Sequence, residues 1–285
     1  MLTTLISVSA LADRLDGNDM TTVVLDCRSS LMDPAQGRRF YGEGHIPSAV
    51  FIDLETELSS PITAQSGRHP LPDFTALAAI LRCAGVNSTT QVVVYDDCGG
   101  AMAARAWWLI RLLGHAAVAV LDGGYPAWLA AGFPVTDQVA EVIPGDFSGV
   151  PDLSMIEPLQ QVADVPAKGM LIDARSAERY RGEQEPIDPV AGHIPGAVNR
   201  PLQQNLTADG LFKSVAVLQQ EWRHFMGDYQ PQQIVHYCGS GVTACHNLLA
   251  MEHAGLVGAK VYPGSWSEWI RDPQRPVATG AEPRS

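Results

Sequence analysis

Residues 234–245 have the sequence IVHYCGSGVTAC, in which an apolar run ends on Cys238 and a loop of small residues leads into a helical segment. The pattern predicts a buried strand, a tight loop and the amino end of a helix, in that order. Backbone N–H groups of such a loop, together with the amino end of a helix, form a site for negative charge. Cys238, at the mouth of that site, is therefore predicted to be a reactive thiolate.

The surroundings of this stretch occur twice in the chain. Four blocks recur in the same order, with offsets between 141 and 148 residues. The pairs are VVLDCRS (23–29) with MLIDARS (170–176), GHIPSAV (44–50) with GHIPGAV (192–198), VVVYD (92–96) with IVHYC (234–238), and GGYPAW (123–128) with GSWSEW (264–269). Chance similarity would not preserve this order, so the chain is predicted to contain a tandem duplication.

Within each copy, short apolar runs alternate with helical segments. The predicted strands are 23–27, 92–95, 118–121, 171–174, 234–237 and 260–262, and the predicted helices are 74–84, 101–113, 215–226 and 243–254. This alternation is typical of βαβ units. The predicted fold class is therefore α/β, with two similar domains that each contain a mostly parallel sheet flanked by helices. The domains are expected at 1–140 and 152–285, joined by a linker at about 134–151 that is rich in Pro, Gly and acidic residues.

Composition excludes several classes of function. The formal net charge of −12 argues against binding to nucleic acid or to an anionic membrane surface. No apolar run reaches 18 residues, and the first residues lack the basic start of a signal peptide. The five cysteines include no Cys-x-x-Cys pair, which favours a reducing cytoplasm over a zinc site or a disulfide framework. No metal or organic cofactor is predicted, and nothing in the sequence specifies an oligomeric state.

The third block distinguishes the two copies chemically. Where the second half has Cys238, the first half has Asp96, or Asp97 if the loops differ by one residue. An aspartate beneath a nest of N–H groups is stable, but it is not a sulfur nucleophile. The first domain is therefore predicted to be catalytically inactive and the second to be catalytic.

Across nearly its whole length, the chain resembles the tandem rhodanese-domain sulfurtransferases in these four blocks. The resemblance implies that Cys238 takes a sulfane sulfur from a small anionic donor, carries it as a persulfide and passes it to a thiol or cyanide. The groups expected to bind the persulfide and the donor are Gly239, Gly241, Val242 and Thr243. Phosphatase chemistry is disfavoured, because the position six residues after the cysteine is Ala244 and not a phosphate-binding arginine.

Two features of the sequence favour different donors. The neutral loop after the cysteine is similar to that of mercaptopyruvate-type enzymes, and this resemblance implies that Ser240 shares a proton relay with His45, which Asp33 would extend. It also implies that Arg179 binds the donor anion. A second arginine of that pattern is replaced by Ile187, a departure shared with thiosulfate-type enzymes. The arginines considered as substitutes are Arg38, Arg39, Arg105 and Arg181.

Because the loop touches the sulfur, it receives more weight than the missing arginine. The predicted donor is therefore 3-mercaptopyruvate, and thiosulfate is the alternative with the same persulfide mechanism. A module that binds a persulfide without turnover is a further alternative.

Overall fold

Two parallel β-sheets form the framework of residues 1–17 and 21–281, the part of the chain that the computed structural model describes. The first sheet contains β1 (Leu5–Ile6), β2 (Thr22–Asp26), β3 (Val50–Phe51), β4 (Gln91–Tyr95) and β5 (Val118–Leu121), in the order β1-β5-β4-β2-β3. The second contains β6 (Met170–Asp173), β7 (Val198–Asn199), β8 (Ile234–Tyr237) and β9 (Lys260–Val261), in the order β7-β6-β8-β9. Strands β7-β6-β8-β9 therefore repeat the order β3-β2-β4-β5, as the duplication predicts.

Helices connect the strands in both halves. Those of the first half are α1 (Val8–Asp16), α2 (Gln36–Glu43), α3 (Phe74–Cys83), α4 (Ala103–Leu112) and α5 (Gly124–Ala130). Those of the second half are α6 (Leu159–Val162), α7 (Val165–Lys168), α8 (Ala177–Arg181), α9 (Val215–Met226), α10 (Ala244–His253) and α11 (Ser265–Trp269). The predicted α/β fold is confirmed. Within the described ranges no helix has the length and apolar character needed to cross a membrane.

Strand β4 shows why apolar runs of this kind form central strands. All five of its residues are buried. Val93 and Tyr95 pack in one cluster with residues of α1 and α5. Val92 and Val94 point to the opposite face, since side chains alternate along a strand, and they are equally buried. A parallel strand covered on both faces is expected to be continuously apolar.

The chain divides into two compact units, and each unit includes a short segment from the other half of the sequence. Unit 1 consists of Met1–Ser60, Leu71–Asp152 and Ala208–Phe212. Unit 2 consists of Pro61–Pro70, Leu153–Thr207 and Lys213–Ser285. The predicted linker, residues 134–151, contains no helix or strand and is part of unit 1. Ten residues from the first half of the sequence therefore belong to the second unit.

An identical ion pair braces each unit at the end of a strand. In unit 1, Arg28 Nη2 lies 2.6 Å from Asp26 Oδ2 and also donates to the carbonyl that precedes the His-Ile-Pro loop (2.8 Å). In unit 2, Arg175 Nη2 lies 2.7 Å from Asp173 Oδ2 and makes the same bond to its own loop (2.7 Å). All four side chains are buried. The repeated Asp-x-Arg block therefore joins a strand end to a loop in both units.

His236, in the middle of β8, makes the stability of the fold dependent on pH. Its ring lies edge-on to Trp222, with centroids 5.7 Å apart, and its Nε2 lies 3.1 Å from the Met251 sulfur. Burial, together with the positive charge of Arg200, lowers the pKa of His236 from 6.5 to about 3. The unfolded chain therefore takes up this proton at a higher pH than the folded chain, and the free energy of unfolding falls as the pH drops from about 6.5 towards 3.

Between pH 7 and pH 5, we expect the wild-type protein to lose about 2 kcal/mol more stability than His236→Gln. Urea unfolding followed by tryptophan fluorescence measures this difference. The control is His224→Gln, which changes an exposed histidine of the neighbouring helix α9 and should retain the wild-type pH dependence. Equal losses of stability in the wild type and in His236→Gln would show that His236 does not cause this pH dependence.

Candidate active site

The loop after β8 places Cys238 at the carboxyl edge of the second sheet, where open parallel sheets bind their ligands. The N–H of Gly241 donates a hydrogen bond to the Cys238 sulfur, at 3.2 Å. Gly241 has φ +77°, and a Cβ on it would lie 2.1 Å from the carbonyl oxygen of Pro263, so only glycine fits. Cys238 is 1 % exposed, and its sulfur therefore interacts with this N–H almost without competition from water.

The first three residues of α11 fix the backbone of the catalytic loop by hydrogen bonds. Cys238 N–H donates to Ser265 Oγ (3.1 Å), and Trp266 N–H donates to the Cys238 carbonyl (3.0 Å). Ser267 N–H donates to the carbonyl of Gly239 (2.8 Å). The fourth repeated block thus fixes the backbone on both sides of the cysteine.

The remaining loop residues lead directly into α10. Val242 is buried, and its carbonyl accepts a hydrogen bond from the N–H of Cys245 (3.2 Å). Thr243 directly precedes the first residue of α10. The Cys245 thiol donates to the Gly241 carbonyl (3.4 Å), which adds a further restraint on the loop. The predicted order of strand, loop and helix is present.

The corresponding loop of unit 1 shows what this backbone arrangement binds. The Asp96 carboxylate accepts hydrogen bonds, between 2.7 and 3.0 Å long, from four backbone N–H groups. The donors are Cys98, Gly100, Met102 and Ala103. Asp96, rather than Asp97, therefore occupies the nest. The duplicated loop is built to surround a negative charge, which unit 1 supplies with a carboxylate.

Residues 61–70, the segment that unit 2 takes from the first half, bring a histidine to the catalytic loop. His69 Nδ1 lies 2.7 Å from Ser240 Oγ, and both side chains are buried. A hydrogen-bonded histidine and serine can move a proton to or from a group bound beside them. Ser240 therefore has a histidine partner, as the relay hypothesis requires.

The histidine that was expected at Ser240 is elsewhere. His45 lies in unit 1, where its Nδ1 is 2.7 Å from the Tyr41 carbonyl oxygen and its Nε2 is 3.2 Å from that of Gln138. Its ring stacks on Tyr41, with centroids 3.8 Å apart. Both nitrogens are engaged by backbone carbonyls, so the expectation that His45 serves Ser240 is corrected in favour of His69.

His193, the counterpart of His45 in unit 2, makes the same Nδ1 and ring contacts, which supports a structural role for both histidines. Its Nδ1 lies 2.8 Å from the Tyr180 carbonyl oxygen, and its ring stacks on Tyr180 at 3.8 Å. Asp33, the third group proposed for the relay, pairs with Arg39 on the exposed surface of unit 1 (2.6 Å). The repeated histidines thus brace loops, and Asp33 belongs to a surface ion pair.

Two guanidinium groups meet beside Gly239. A Cβ on Gly239 would lie 2.8 Å from Arg68 Nη2, and 3.5 and 3.8 Å from Nη2 and Nη1 of Arg179. Arg179 is therefore adjacent to the catalytic loop, whereas sequence reasoning missed Arg68. Burial lowers the pKa of Arg68, the Cys238 sulfur acts in the opposite direction, and Arg179 acts in the same direction as burial. Two planar cations at one place are suited to bind a carboxylate or a similar anion.

Two buried carboxylates form ion pairs with these arginines. Asp188 Oδ1 pairs with Arg68 Nη1, and Asp188 Oδ2 lies 3.2 Å from Arg179 Nη2. Glu185 accepts from Arg179 Nη2 (2.7 Å) and Nε (3.1 Å), and from the backbone N–H of Ile187 (3.1 Å). The second cation at the loop is therefore Arg68, although the resemblance had placed it at position 187.

The other substitutes considered from the sequence do not take this place. Arg38 and Arg39 pair with Asp53 and Asp33, Arg105 donates to the carbonyl of Leu58, and Arg181 pairs with the exposed Glu183. One signal pointed to Arg68 and His69: the offset between the copies falls from 148 to 142 across the interval that contains them. The first half is therefore longer across this interval, which contains Ser-Gly-Arg-His-Pro at 66–70.

Known proteins share the features of this chain in both sequence and structure. Residues 7–131 and 157–272 each match the rhodanese-like domain. A probable 3-mercaptopyruvate sulfurtransferase of Pseudomonas aeruginosa is 50% identical over 280 residues, which cover 97% of this chain and 98% of that protein. A putative thiosulfate sulfurtransferase of Mycobacterium tuberculosis is 42% identical over 279 residues, 97% of each chain. The structure of 3-mercaptopyruvate sulfurtransferase from Leishmania major matches with a TM-score of 0.84 at 30% identity, over 95% of this chain and 76% of that one.

Proposed function

Because this chain belongs to the rhodanese-domain sulfurtransferases, we propose that it moves a sulfane sulfur from 3-mercaptopyruvate to a thiol or cyanide acceptor through a persulfide on Cys238. The observation that carries the choice of donor is the buried hydrogen bond between His69 and Ser240. A proton-transfer pair beside the reactive sulfur is needed for one of the two candidate donors and not for the other.

The first half-reaction with 3-mercaptopyruvate needs a proton at carbon. The Cys238 thiolate attacks the donor sulfur, a sulfur–sulfur bond forms, and the carbon–sulfur bond breaks with its electron pair going to the donor carbon. The thiol proton of the donor must then reach that carbon, so that the products are a persulfide anion and pyruvate. Ser240 of the catalytic loop and His69 of the segment 61–70 are hydrogen-bonded to each other and can carry this proton.

The persulfide anion is proposed to rest in the nest of backbone N–H groups between Gly239 and Thr243. The Gly241 N–H already bonds the thiol sulfur, and the Asp96 carboxylate shows in unit 1 that the duplicated loop holds a full negative charge. Preorganised donors of this kind stabilise developing charge without the cost of reorganising water. An acceptor thiolate or cyanide then attacks the outer sulfur, and the Cys238 thiolate leaves.

Arg68 and Arg179 are proposed to bind the carboxylate and carbonyl of the donor. Their guanidinium groups meet beside Gly239, next to the attacking cysteine. A charge-assisted hydrogen bond contributes roughly 1.5–3 kcal/mol, so a pair of them orients a small donor as well as binding it. Arg68 thus offsets the absence of an arginine at position 187.

Thiosulfate is the second candidate donor, as the name of the Mycobacterium tuberculosis relative suggests. Attack of Cys238 on its outer sulfur releases sulfite directly and requires no proton. The same loop and arginines would serve this reaction, but the His69–Ser240 pair would then have no role in it.

We also place the protein in the reducing cytoplasm, a proposal supported by its five free cysteines.

Steady-state turnover with each donor, and with cyanide as acceptor, tests the proposal. We expect kcat/KM to be at least about tenfold higher for 3-mercaptopyruvate than for thiosulfate, since only the former uses the proton relay. Thiocyanate release measures transfer, and the intact mass of protein treated with donor alone should increase by one sulfur atom. No turnover with either donor would refute the proposed function, and a higher kcat/KM for thiosulfate would refute the choice of donor.

A further inference from the structure

The donor site is the end of a row of six alternating charges in unit 2. From the sheet outward the members are Asp173, Arg175, Glu185, Arg179, Asp188 and Arg68. The first four links measure 2.7, 3.2, 2.7 and 3.2 Å, and Arg68 pairs with Asp188 at the end of the row. Three positive and three negative charges cancel, so the row presents no net positive charge to a donor.

Asp188 is the member that controls both donor-binding arginines. It gives one carboxylate oxygen to each of them, and its side chain is 3 % exposed. Among the guanidinium nitrogens that the carboxylates of the row do not bind, Arg68 Nη2 and Arg179 Nη1 lie close to Gly239. Asp188 therefore binds one nitrogen of each guanidinium and leaves Arg68 Nη2 and Arg179 Nη1 for the donor.

We infer that Asp188 determines which charge of donor the site accepts, an inference that rests on the proposed function. Its carboxylate cancels one of the two positive charges beside Gly239, and the Cys238 thiolate adds a further negative charge. Asp188 and the thiolate thus match the two arginines, so a monoanionic donor such as an α-keto carboxylate adds one uncompensated negative charge, whereas a dianion such as thiosulfate adds two. Because the side chain of Asp188 is buried, water and salt screen this effect only weakly.

The variant Asp188→Asn tests the charge and keeps the shape of the side chain. We expect the ratio of kcat/KM for thiosulfate to that for 3-mercaptopyruvate to rise about tenfold, since a dianion gains more than a monoanion when a nearby negative charge is removed. The matched control is Glu183→Gln, which removes the same charge from an exposed ion pair with Arg181. It should leave the ratio unchanged. An unchanged ratio in Asp188→Asn would overturn the inference.

The orienting role of Asp188 has a separate readout. Asp188→Ala removes both oxygens, so KM for 3-mercaptopyruvate should rise about tenfold or more while the persulfide still forms at saturating donor. An unchanged KM would show that Asp188 does not orient the arginines.

One measurement needs neither a variant nor turnover. Pyruvate and sulfate should compete for the wild-type site, and pyruvate, the monoanion, should bind at the lower concentration, as measured by calorimetry. Tighter binding of sulfate would overturn the inference even if both variants failed to fold. Absence of turnover with either donor would instead refute the proposed function, so the two failures are distinguishable.

Discussion

Cys238→Ser is expected to lower sulfur transfer from both donors by at least about 10³-fold, because a serine hydroxyl neither attacks sulfur effectively nor forms a persulfide. The loop should keep its shape, since the hydroxyl oxygen can accept the hydrogen bond that Gly241 N–H now gives to the sulfur. Thiocyanate release measures the loss. The intact mass of the variant should not change on incubation with either donor.

The matched control for this variant is Cys98→Ser, which changes the exposed cysteine of the corresponding loop in unit 1. There the nest is filled by the Asp96 carboxylate, so Cys98 has no open site to serve. Its variant should transfer sulfur at the wild-type rate. If sulfur transfer survives in Cys238→Ser, or disappears in Cys98→Ser, the nucleophile is a different cysteine.

His69→Asn is expected to lower kcat with 3-mercaptopyruvate by about 10²-fold and kcat with thiosulfate by less than about threefold. The reason is that only the reaction with 3-mercaptopyruvate requires a proton at the departing carbon. Asparagine can still hydrogen-bond to Ser240 but cannot carry a proton at neutral pH. Pyruvate formation and sulfite formation, measured under the same conditions, give the two rates.

His45→Asn is the control for this second prediction, because His45 is an equally buried histidine whose ring nitrogens lie near backbone carbonyls. It should lower the melting temperature and leave the ratio of the two donors unchanged. A loss specific to 3-mercaptopyruvate in His45→Asn, with none in His69→Asn, would restore the relay originally expected from the sequence.

The fold was predictable because its information is local and is repeated. Runs such as Val92–Tyr95 and Ile234–Tyr237 are buried on both faces, and that environment imposes continuous apolar residues that are visible in one sequence. The order of the four blocks then predicts two sheets with the same strand order. Strand β1 was missed because two residues are too few to show a periodicity.

The catalytic loop was predictable for the same reason. Cys238, its glycines and the start of α10 follow one another directly along the chain, so the N–H groups that surround the sulfur come from residues within a few positions of it. Comparison with the first copy identifies the nucleophile, since Asp96 stands at the equivalent position. A nest made of consecutive backbone groups is a local structure, and local structure is what spacing along a sequence describes.

The chemistry around that loop is not local, and only the tertiary structure decided it. His69 lies 171 residues before Ser240, and Arg68 lies 120 residues before Asp188. They reach the site because residues 61–70 pack into unit 2, although the repeats assign them to the first copy. By itself the sequence determined the nucleophile, its anion-binding loop and the duplicated α/β fold. The folded chain alone decided which histidine meets Ser240, which second arginine meets Arg179 and which carboxylate balances them, because hydrogen bonds and ion pairs depend on distance in space and leave no periodic trace in the sequence.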